Sequence, residues 1–333
     1  MLNKALKLAS EETLYDRSKV EQIPIRNGFG EGLVIAGDAD PNVIVLCADL
    51  SESTRSSVYQ KKYPNRYIEV GVAEQNMAAL ASGLAAVGKV PFISSYAMFS
   101  PGRNWEQIRT TICYNNQNVK VAAAHAGISV GPDGATHQAI EDIGIMRAIA
   151  NMIVLVPADS REARRATVAA AKIKGPVYIR YAREKTPVVT TDDTPFEVGK
   201  AYCYREGKDV VLVAAGPLVY EALLAAEELA KEKISACVIN APTIKPLDEA
   251  TIIKAAKECG AVVSCEEHQI INGLGSAVAE ALGRNYPTPQ EFIGVQNRFG
   301  ESGEPDELMD KFGLRAKDIV VAAKKAISRK EKK

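Results

Sequence analysis

Two of the three histidines in this 333-residue chain bracket one short polar segment. His125 and His137 flank the sequence HAGISVGPDGATHQ, which also contains Asp133. Imidazole and carboxylate groups on one loop can bind a metal ion, transfer protons or hydrogen-bond hydroxyl groups. The structural alternative is that these histidines only cap backbone groups in a glycine-rich turn. Because histidine is rare in this chain, we favour a chemical role.

A second candidate is Glu74, which lies in the segment RYIEVGVAEQNMAALASGLAAVG (residues 66–88). β-Forming residues precede it and Ala- and Leu-rich sequence follows it, so it stands between a predicted strand and a predicted helix. Active sites collect at the carboxyl ends of strands in parallel α/β sheets. Taken alone, however, a carboxylate in the first turn of a helix is explained more simply by its interaction with the helix dipole.

Aromatic and cationic side chains could complete a site. Tyr96 and Phe99 follow another predicted strand, where aromatic rings can stack on a planar heterocycle, although such rings more often belong to the core. Arg26, Arg180 and Arg183 are candidate anion ligands, because the guanidinium group matches the geometry of phosphate. Arginine is common on surfaces, so none of these residues is decisive by itself.

The elements that must position these residues alternate between strand and helix. In the first half of the chain, the segments that read as strands are 42–47, 67–72, 89–94, 119–124, 152–156 and 176–180. Helical segments separate these strands, among them 103–114 and 160–172. Long helices between strands indicate a parallel sheet covered on both faces. The same alternation restarts after residues 187–197, where prolines, threonines and aspartates follow no period and predict a linker.

We therefore expect an α/β protein with two successive domains, each a parallel or mostly parallel sheet with helices on both faces. The predicted boundaries are an N-terminal arm at 1–20, a first domain at 21–186, the linker at 187–197 and a second domain at 198–333. The arm reads as a helix that packs on a partner. Lys and Arg crowd the last ten residues, which is typical of a solvated tail.

Composition excludes several classes of function. Lys and Arg together equal Asp and Glu at 41 each, a balance that argues against nucleic-acid binding and against binding to a membrane surface. The six cysteines are scattered without a CxxC pair, which predicts free thiols in a reducing compartment. We find neither the apolar core of a signal peptide nor an apolar run of bilayer length. We expect a cytoplasmic protein with no membrane or nucleic-acid partner.

Several collinear segments resemble the thiamine-diphosphate-dependent transketolases. GVAEQNM at 71–77, SYAMF at 95–99 and HAGISVGPDGATHQ at 125–138 are similar to the family's pyrimidine-binding domain. EEHQIINGLGSAVAE at 266–280 and NRFGESGEPDEL at 297–308 are similar to its C-terminal domain. The resemblance covers nearly the whole chain. It implies that the first predicted domain binds the pyrimidine of the cofactor and that the second is a transketolase C-terminal domain.

The resemblance also implies roles for residues near the cofactor. Glu74 matches the carboxylate that hydrogen-bonds the aminopyrimidine ring nitrogen and thereby activates the cofactor. Tyr96 and Phe99 match aromatic residues around the pyrimidine ring. The family often has a further aromatic residue where this chain has Gly102, so that part of the ring environment is expected to differ. Asp49 lies in an Ala-Asp-Leu motif that the family places near the cofactor and the dimer interface.

The substrate ligands implied by the resemblance fall into two groups. The residues matched to binding of sugar hydroxyls and to proton transfer are His125, Asp133 and His137. The residues matched to binding of the sugar phosphate are Arg26, Ser53 and Arg183. Binding of a remote phosphate can orient the reacting carbonyl group, so the two groups are chemically coherent.

The family's other domain binds the diphosphate and Mg²⁺ through a Gly-Asp-Gly motif and a downstream Asn, for which we find no counterpart. The resemblance therefore implies the C-terminal subunit of a split transketolase, which transfers a two-carbon ketol unit from a ketose phosphate to an aldose phosphate. Thiamine diphosphate and Mg²⁺ would be held mainly by an N-terminal partner subunit, and self-association through the pyrimidine domain would give a heterotetramer. The alternatives are a subunit of a deoxyxylulose-phosphate synthase, the β subunit of a 2-oxoacid dehydrogenase, or a non-catalytic regulatory subunit.

Overall fold

Strands and helices alternate along most of the chain in the computed structural model, which describes residues 2–330. The strands in these residues are β1 (Gln22–Pro24), β2 (Val43–Cys47), β3 (Tyr67–Glu69), β4 (Val90–Tyr96), β5 (Lys120–Ala124), β6 (Ile153–Leu155), β7 (Val177–Arg180), β8 (Lys185–Pro187), β9 (Tyr202–Arg205), β10 (Val210–Ala214), β11 (Ala236–Asn240), β12 (Thr243–Lys245), β13 (Val262–Gln269) and β14 (Gln290–Val295). The helices are α1 (Glu11–Leu14), α2 (Ile25–Ala39), α3 (Ser51–Thr54), α4 (Ser57–Lys62), α5 (Glu74–Ala86), α6 (Trp105–Gln107), α7 (Asp142–Arg147), α8 (Ser160–Lys172), α9 (Leu218–Lys231), α10 (Glu249–Cys259), α11 (Leu274–Asn285), α12 (Pro305–Lys311) and α13 (Ala316–Lys330).

The first half of the chain forms most of a seven-stranded sheet with the order β12-β6-β7-β5-β4-β2-β3. Every neighbouring pair is parallel except β12 with β6. Strands such as β5 are buried along their whole length, because helices cover both faces of the sheet. Helices α2 and α8 pack on one face, and α5 packs on the other. The predicted α/β fold with a mostly parallel sheet is confirmed.

The second half forms a five-stranded sheet with the order β14-β13-β10-β11-β9, in which only β9 is antiparallel to its neighbour. Helices α9 and α13 pack on one face, and α10 and α11 pack on the other. The sequence did not predict β9, β12 or the two-stranded antiparallel pair of β1 and β8. Strand β12 belongs to the second half of the chain but pairs with β6 of the first half, so strands from both halves form the seven-stranded sheet.

The N-terminal residues differ from the predicted arm because most of them are not helical, whereas packing on a partner stays a prediction. Apart from one 3-10 turn, only α1 is helical, and Leu2 and Leu14 are buried in the core of the second half. The backbone N of Asn3 donates to the carbonyl oxygen of Tyr204 on β9 (2.9 Å). Because β9 is an edge strand with free hydrogen-bonding groups, this segment of the same chain covers it.

The basic end of the chain is helical, as predicted, and its Lys and Arg side chains face solvent, but the opposite face of the helix is packed against the second sheet. Residues 316–330 form α13, whose apolar face packs on the second sheet through residues such as Ile319. Its basic side chains form ion pairs, for example Arg329 with Glu291 (2.7 Å). The last three residues of that predicted tail, 331–333, lie outside the described residues.

The predicted linker is anchored to the first half of the chain. The Asp159 carboxylate accepts hydrogen bonds from the backbone N atoms of Val189 (2.8 Å) and Thr190 (2.7 Å). The same side chain caps the N-terminus of α8 by accepting from the backbone N of Glu162 (2.9 Å). All six cysteines are free thiols, as predicted. Among residues 2–330, no helix combines the length and the apolar character needed to cross a membrane.

Candidate functional site

Strands β7, β5, β4, β2 and β3 lie side by side and run parallel, so their carboxyl ends meet at one edge of the seven-stranded sheet. The predicted residues at these ends are Arg183 after β7, His125 after β5, Tyr96 and Phe99 at the end of β4, Asp49 and Ser53 after β2, and Glu74 after β3. Residues that are far apart in the sequence are thus brought to one edge by the sheet order.

Glu74 begins α5, but its side chain turns inward and is only 1% exposed. One carboxylate oxygen, Oε2, accepts from Nη1 of Arg103 at 2.7 Å. The other, Oε1, lies 3.4 Å from the hydroxyl of Ser95. The backbone oxygen of Glu74 accepts from Nδ2 of Asn104 (3.1 Å), which fixes the start of the helix. A carboxylate that only complemented a helix dipole would not require this burial, because the dipole acts on exposed groups as well.

Four rings form a continuous wall, and Arg103 links it to this carboxylate by pairing with Glu74 and lying over Phe99. The ring of Tyr96 stacks on His125 with centroids 3.8 Å apart and an angle of 20° between the planes. Phe99 lies 5.9 Å from Tyr96 and makes an edge contact with His137 at 5.4 Å. Tyr96, Phe99 and His137 are half-buried, whereas His125 is 2% exposed. We call these four residues the ring wall. A half-buried aromatic face of this kind can stack on a planar heterocycle.

Residues 125–138, which we call the histidine loop, are hydrogen-bonded to the second half of the chain. The backbone N of Ser129 donates to Oε1 of Glu267 (2.6 Å), and Nε2 of Gln138 donates to the carbonyl oxygen of Glu301 (2.9 Å). A Cβ atom at Gly127, where φ is +94°, would overlap the Glu267 carboxylate. Burial raises the pKa of Glu267. The second half of the chain therefore sets the position of the loop that carries both site histidines.

Two guanidinium groups lie near His125. Nη1 of Arg26 donates to the backbone oxygen of Ser53 (2.9 Å), and Nη1 of Arg183 donates to that of Val130 (2.9 Å). Burial, followed by the positive charges of Arg26 and Arg183, lowers the pKa of His125 to about 3. The imidazole is therefore neutral near pH 7. Its Nδ1 atom is buried and has no hydrogen-bond partner within residues 2–330.

Arg55 is a further candidate that the sequence reasoning missed. Its Nε atom donates to Oδ1 of Asn27 (3.0 Å), beside Arg26 on α2. Burial, then the charges of Arg55 and Arg183, lower the pKa of Arg26. Of these three arginines only Arg183 has a carboxylate partner in the described part of the chain, namely Glu184 at 3.1 Å. This excess of positive charge favours an anion. In the sequence, the only sign of a role for Arg55 was its position two residues after the candidate ligand Ser53.

Asp49 and Asp133 are not brought into contact with the ring wall. Both side chains are exposed, and neither carboxylate forms a hydrogen bond or an ion pair with another residue in the range 2–330. The backbone N of Asp49, where φ is +58°, donates to Oε1 of Glu69 (2.7 Å). Asp49 follows β2 and Asp133 ends a 3-10 turn, and the roles of both residues stay predictions.

Arg180 does not fit the predicted role of an anion ligand. Its guanidinium group is fully buried, where Nε donates to Oδ2 of Asp142 (2.8 Å) and Nη2 donates to the backbone oxygen of Glu267 (2.7 Å). The hydroxyl of Tyr178 donates to the same Asp142 oxygen (2.6 Å). A buried charge requires such partners. Arg180 therefore joins the two halves of the chain and is not available to a ligand.

Gly102 and Arg103 account for the missing aromatic residue. A Cβ atom at position 102 would overlap the backbone oxygen of Met98, so this backbone conformation excludes any larger residue. The next side chain, Arg103, instead places its guanidinium carbon 4.8 Å from the ring centroid of Phe99. The sequence placed Arg103 in a predicted helix but gave no sign of this contact, which depends on the turn before it.

Two family models match the chain. Residues 21–188 match the transketolase pyrimidine binding domain, and residues 199–319 match the transketolase C-terminal domain. The chain belongs to the transketolase family. It carries the family's pyrimidine-binding and C-terminal domains in one polypeptide, as the sequence motifs predicted.

Individual relatives agree with this transketolase assignment. A Methanocaldococcus jannaschii protein named as a transketolase C-terminal section is 45% identical, over 89% of this chain and 93% of its own length. A 6-deoxy-6-sulfo-D-fructose transketolase subunit from a Clostridium species is 42% identical, over 94% of this chain and 97% of its own. A solved structure described as a split gene transketolase, inactive beta4 tetramer, is 47% identical with a TM-score of 0.87, and the match covers 92% of this chain and 99% of that one.

Membership of the transketolase family implies a general dependence on thiamine diphosphate. The residues at the sheet edge fit the aminopyrimidine end of that cofactor, because a buried carboxylate, Glu74, lies beside half-buried aromatic faces. The Nδ1 atom of His125, which is buried without a partner among the described residues, is a further polar group that a ligand could satisfy. Within residues 2–330, no group of three or more His, Cys, Asp or Glu side chains is arranged to hold a metal ion.

Proposed function

We propose that this chain is the C-terminal subunit of a two-chain transketolase that moves a two-carbon ketol unit from a ketose phosphate to an aldose phosphate. The observation that carries the proposal is the convergence of three chemical features at one sheet edge. These are the buried Glu74 carboxylate, the ring wall, and the arginine cluster of Arg26, Arg55 and Arg183. They suit, respectively, an aminopyrimidine nitrogen, a planar ring beside sugar hydroxyls, and the anionic end of a sugar.

Thiamine diphosphate would supply the electron sink that breaking and forming a carbon–carbon bond require. The residues of this chain would position it and handle protons. The Glu74 carboxylate, excluded from water, would hydrogen-bond the pyrimidine ring nitrogen and hold a proton there. His125 is neutral near pH 7, so an unprotonated ring nitrogen can accept a hydrogen bond from a substrate hydroxyl. His137, at the outer end of the ring wall, would contact a second hydroxyl.

The arginine cluster would bind the end of the sugar that does not react. Three guanidinium groups with one carboxylate partner in the described chain suit a dianion such as phosphate. Binding there would orient the reacting carbonyl, since remote binding energy can be used at the reacting centre. One relative is named for a sulfonated sugar, and a sulfonate is the competing anionic group. A plain 2-oxoacid offers neither a remote anion nor several hydroxyls, which argues against the 2-oxoacid dehydrogenase alternative.

A partner subunit would hold the diphosphate and Mg²⁺. Support comes from the surface around α5, where Glu74 is the only charged residue between positions 70 and 88. Val72 (70%), Val87 (75%) and Leu80 (38%) expose large apolar side chains there. Apolar surface without charge is typical of the core of a subunit interface. We propose that the N-terminal subunit and a second copy of this chain cover this surface in a heterotetramer, and that this subunit alone is inactive.

The test is reconstitution. This chain is mixed with thiamine diphosphate, Mg²⁺ and a partner subunit that carries the Gly-Asp-Gly motif. The mixture should transfer the ketol unit from xylulose 5-phosphate to ribose 5-phosphate, whereas either subunit alone should not. A parallel assay with 6-deoxy-6-sulfofructose as donor decides between phosphate and sulfonate. Lack of transfer from either donor, with both chains folded and associated, would contradict the proposal.

A further inference from the structure

Arg103 binds the carboxylate that the proposed function reserves for the cofactor. Its Nη1 atom lies 2.7 Å from Oε2 of Glu74. Among residues 2–330, the other Glu74 oxygen has only the weak contact with the Ser95 hydroxyl at 3.4 Å, which is long for a hydrogen bond between oxygens. Arg103 is therefore the main partner of this buried carboxylate in the described chain.

Arg103 also lies over an aromatic face that the proposed function gives to the pyrimidine. Its guanidinium carbon is 4.8 Å from the centroid of the Phe99 ring, within the range of a cation–π contact. A guanidinium group is planar, donates N–H groups to a carboxylate and stacks on aromatic rings. An aminopyrimidine ring hydrogen-bonded to Glu74 and stacked on Phe99 would use the same two residues in the same two ways.

The side chain of Arg103 is free to leave, although its backbone is fixed. The side chain is 47% exposed, whereas that of Glu74 is 1% exposed. Within residues 2–330, the Arg103 side chain forms one hydrogen bond, to Glu74. By contrast, the backbone N of Arg103 donates to the oxygen of Phe99 (3.0 Å), and the next residue, Asn104, is tied to Ser100 (3.1 Å). Rotation of the side chain into solvent would expose Glu74 without moving the turn.

We propose that Arg103 is a plug on the cofactor-activating carboxylate, which closes Glu74 in the cofactor-free subunit and swings away when the aminopyrimidine binds. The proposal rests on the cofactor site of the proposed function and adds a competing internal ligand to it. The cofactor must displace the plug before it can bind Glu74. The apparent affinity of the cofactor is therefore its intrinsic affinity multiplied by the fraction of molecules in which Glu74 is open. For a half-exposed ion pair with one cation–π contact, we expect a reduction of about three- to tenfold.

The test measures cofactor binding directly. Trp105, the only tryptophan, lies two residues from Arg103, and its Nε1 atom donates to the oxygen of Ile145 (3.2 Å), so its fluorescence should report the change. Thiamine diphosphate with Mg²⁺ is titrated into the two-subunit complex carrying wild-type chain or Arg103→Met. The variant should bind about three- to tenfold more tightly. The difference in cofactor affinity between the variant and wild type should become smaller at high salt, because salt screens the ion pair between Arg103 and Glu74.

Two further variants make the result decisive. Arg109→Met removes the same charge from an exposed position in the same segment and should leave cofactor affinity unchanged. Arg103→Lys keeps the charge but loses the planar stacking on Phe99, so its cofactor affinity should lie between those of wild type and Arg103→Met. If Arg103→Met folds poorly, the comparison of Arg103→Lys with wild type tests the same contact. Unchanged or weaker binding by Arg103→Met would overturn the plug. Failure of the wild-type complex to bind the cofactor would instead overturn the proposed function and the plug with it, and neither reading depends on ketol transfer.

Discussion

The low pKa of His125 predicts that the stability of the chain depends on pH in a specific window. The folded protein holds this imidazole neutral down to about pH 3, whereas the unfolded chain protonates it near its ordinary pKa of about 6.5. Between these values the unfolded state binds more protons, so the free energy of unfolding falls as the pH falls. Each pH unit is worth about 1.4 kcal/mol, so acidification from pH 6.5 to pH 4.5 should cost roughly 2–3 kcal/mol through this residue.

The perturbation is His125→Gln, which removes the titrating group at similar size. Urea denaturation of wild type and variant at pH 4.5, 5.5 and 6.5 gives the free energy of unfolding at each pH. The variant should be less stable than wild type at pH 6.5 because it loses packing against Tyr96, and most of this difference should disappear by pH 4.5. NMR titration of the three histidines gives the pKa directly. Arg26→Met should raise the pKa of His125, because one neighbouring positive charge is removed.

Two outcomes would refute this reasoning. One is an unchanged stability difference between wild type and His125→Gln over the whole window. The other is an imidazole that titrates near pH 6.5 in the folded protein. Either result would mean that water or an acidic group reaches His125, and that the neutral imidazole invoked for hydroxyl binding is not set by burial and the arginine cluster.

Three further predictions follow from contacts at the site. Gly102→Ala should destabilise the chain by at least about 2 kcal/mol in urea denaturation, because its Cβ would overlap a backbone oxygen; a loss within experimental error would show that the turn can relax. Arg55→Met should raise KM for a phosphorylated donor about tenfold with kcat largely kept, while Lys61→Met, an exposed control, should change neither value. Glu267→Ala should lower kcat/KM roughly tenfold by loosening the histidine loop, and crystallography should show that loop displaced; an ordered loop in the wild-type position would contradict the role given to Glu267.

Most of the fold could be predicted because strand and helix signals are local. The bounds of α8 were predicted to the residue, and the buried strand β2 stood out as a continuous apolar run. The edge strands β9 and β12 were missed because they are short, antiparallel and without a repeating apolar pattern. The helix predicted from residue 103 to 114 is a short helix followed by a π-helical turn at Ile108–Cys113, a hydrogen-bonding pattern that side-chain periodicity does not distinguish.

The site was predictable where motifs carried it and not where contacts between distant segments decided it. The places of Glu74 and His125 after predicted strands made them candidates, and the family resemblance assigned their roles, which stay predictions. Arg180 was misassigned because its burial depends on Asp142 and on the second half of the chain. Arg103 was overlooked because a surface arginine in a helix has no distinguishing signal until the turn brings it to Glu74.

The role of Glu74 is tested most directly by proton exchange at the reactive carbon of thiamine diphosphate, followed by NMR in D₂O in the assembled two-subunit complex without substrate. We expect the wild-type chain to accelerate exchange over free cofactor. Glu74→Gln, which keeps the shape of the side chain, should lower the rate at least about a hundredfold while still binding the partner subunit. Exchange at the wild-type rate in an assembled Glu74→Gln complex would contradict the assignment of Glu74 as the cofactor-activating carboxylate.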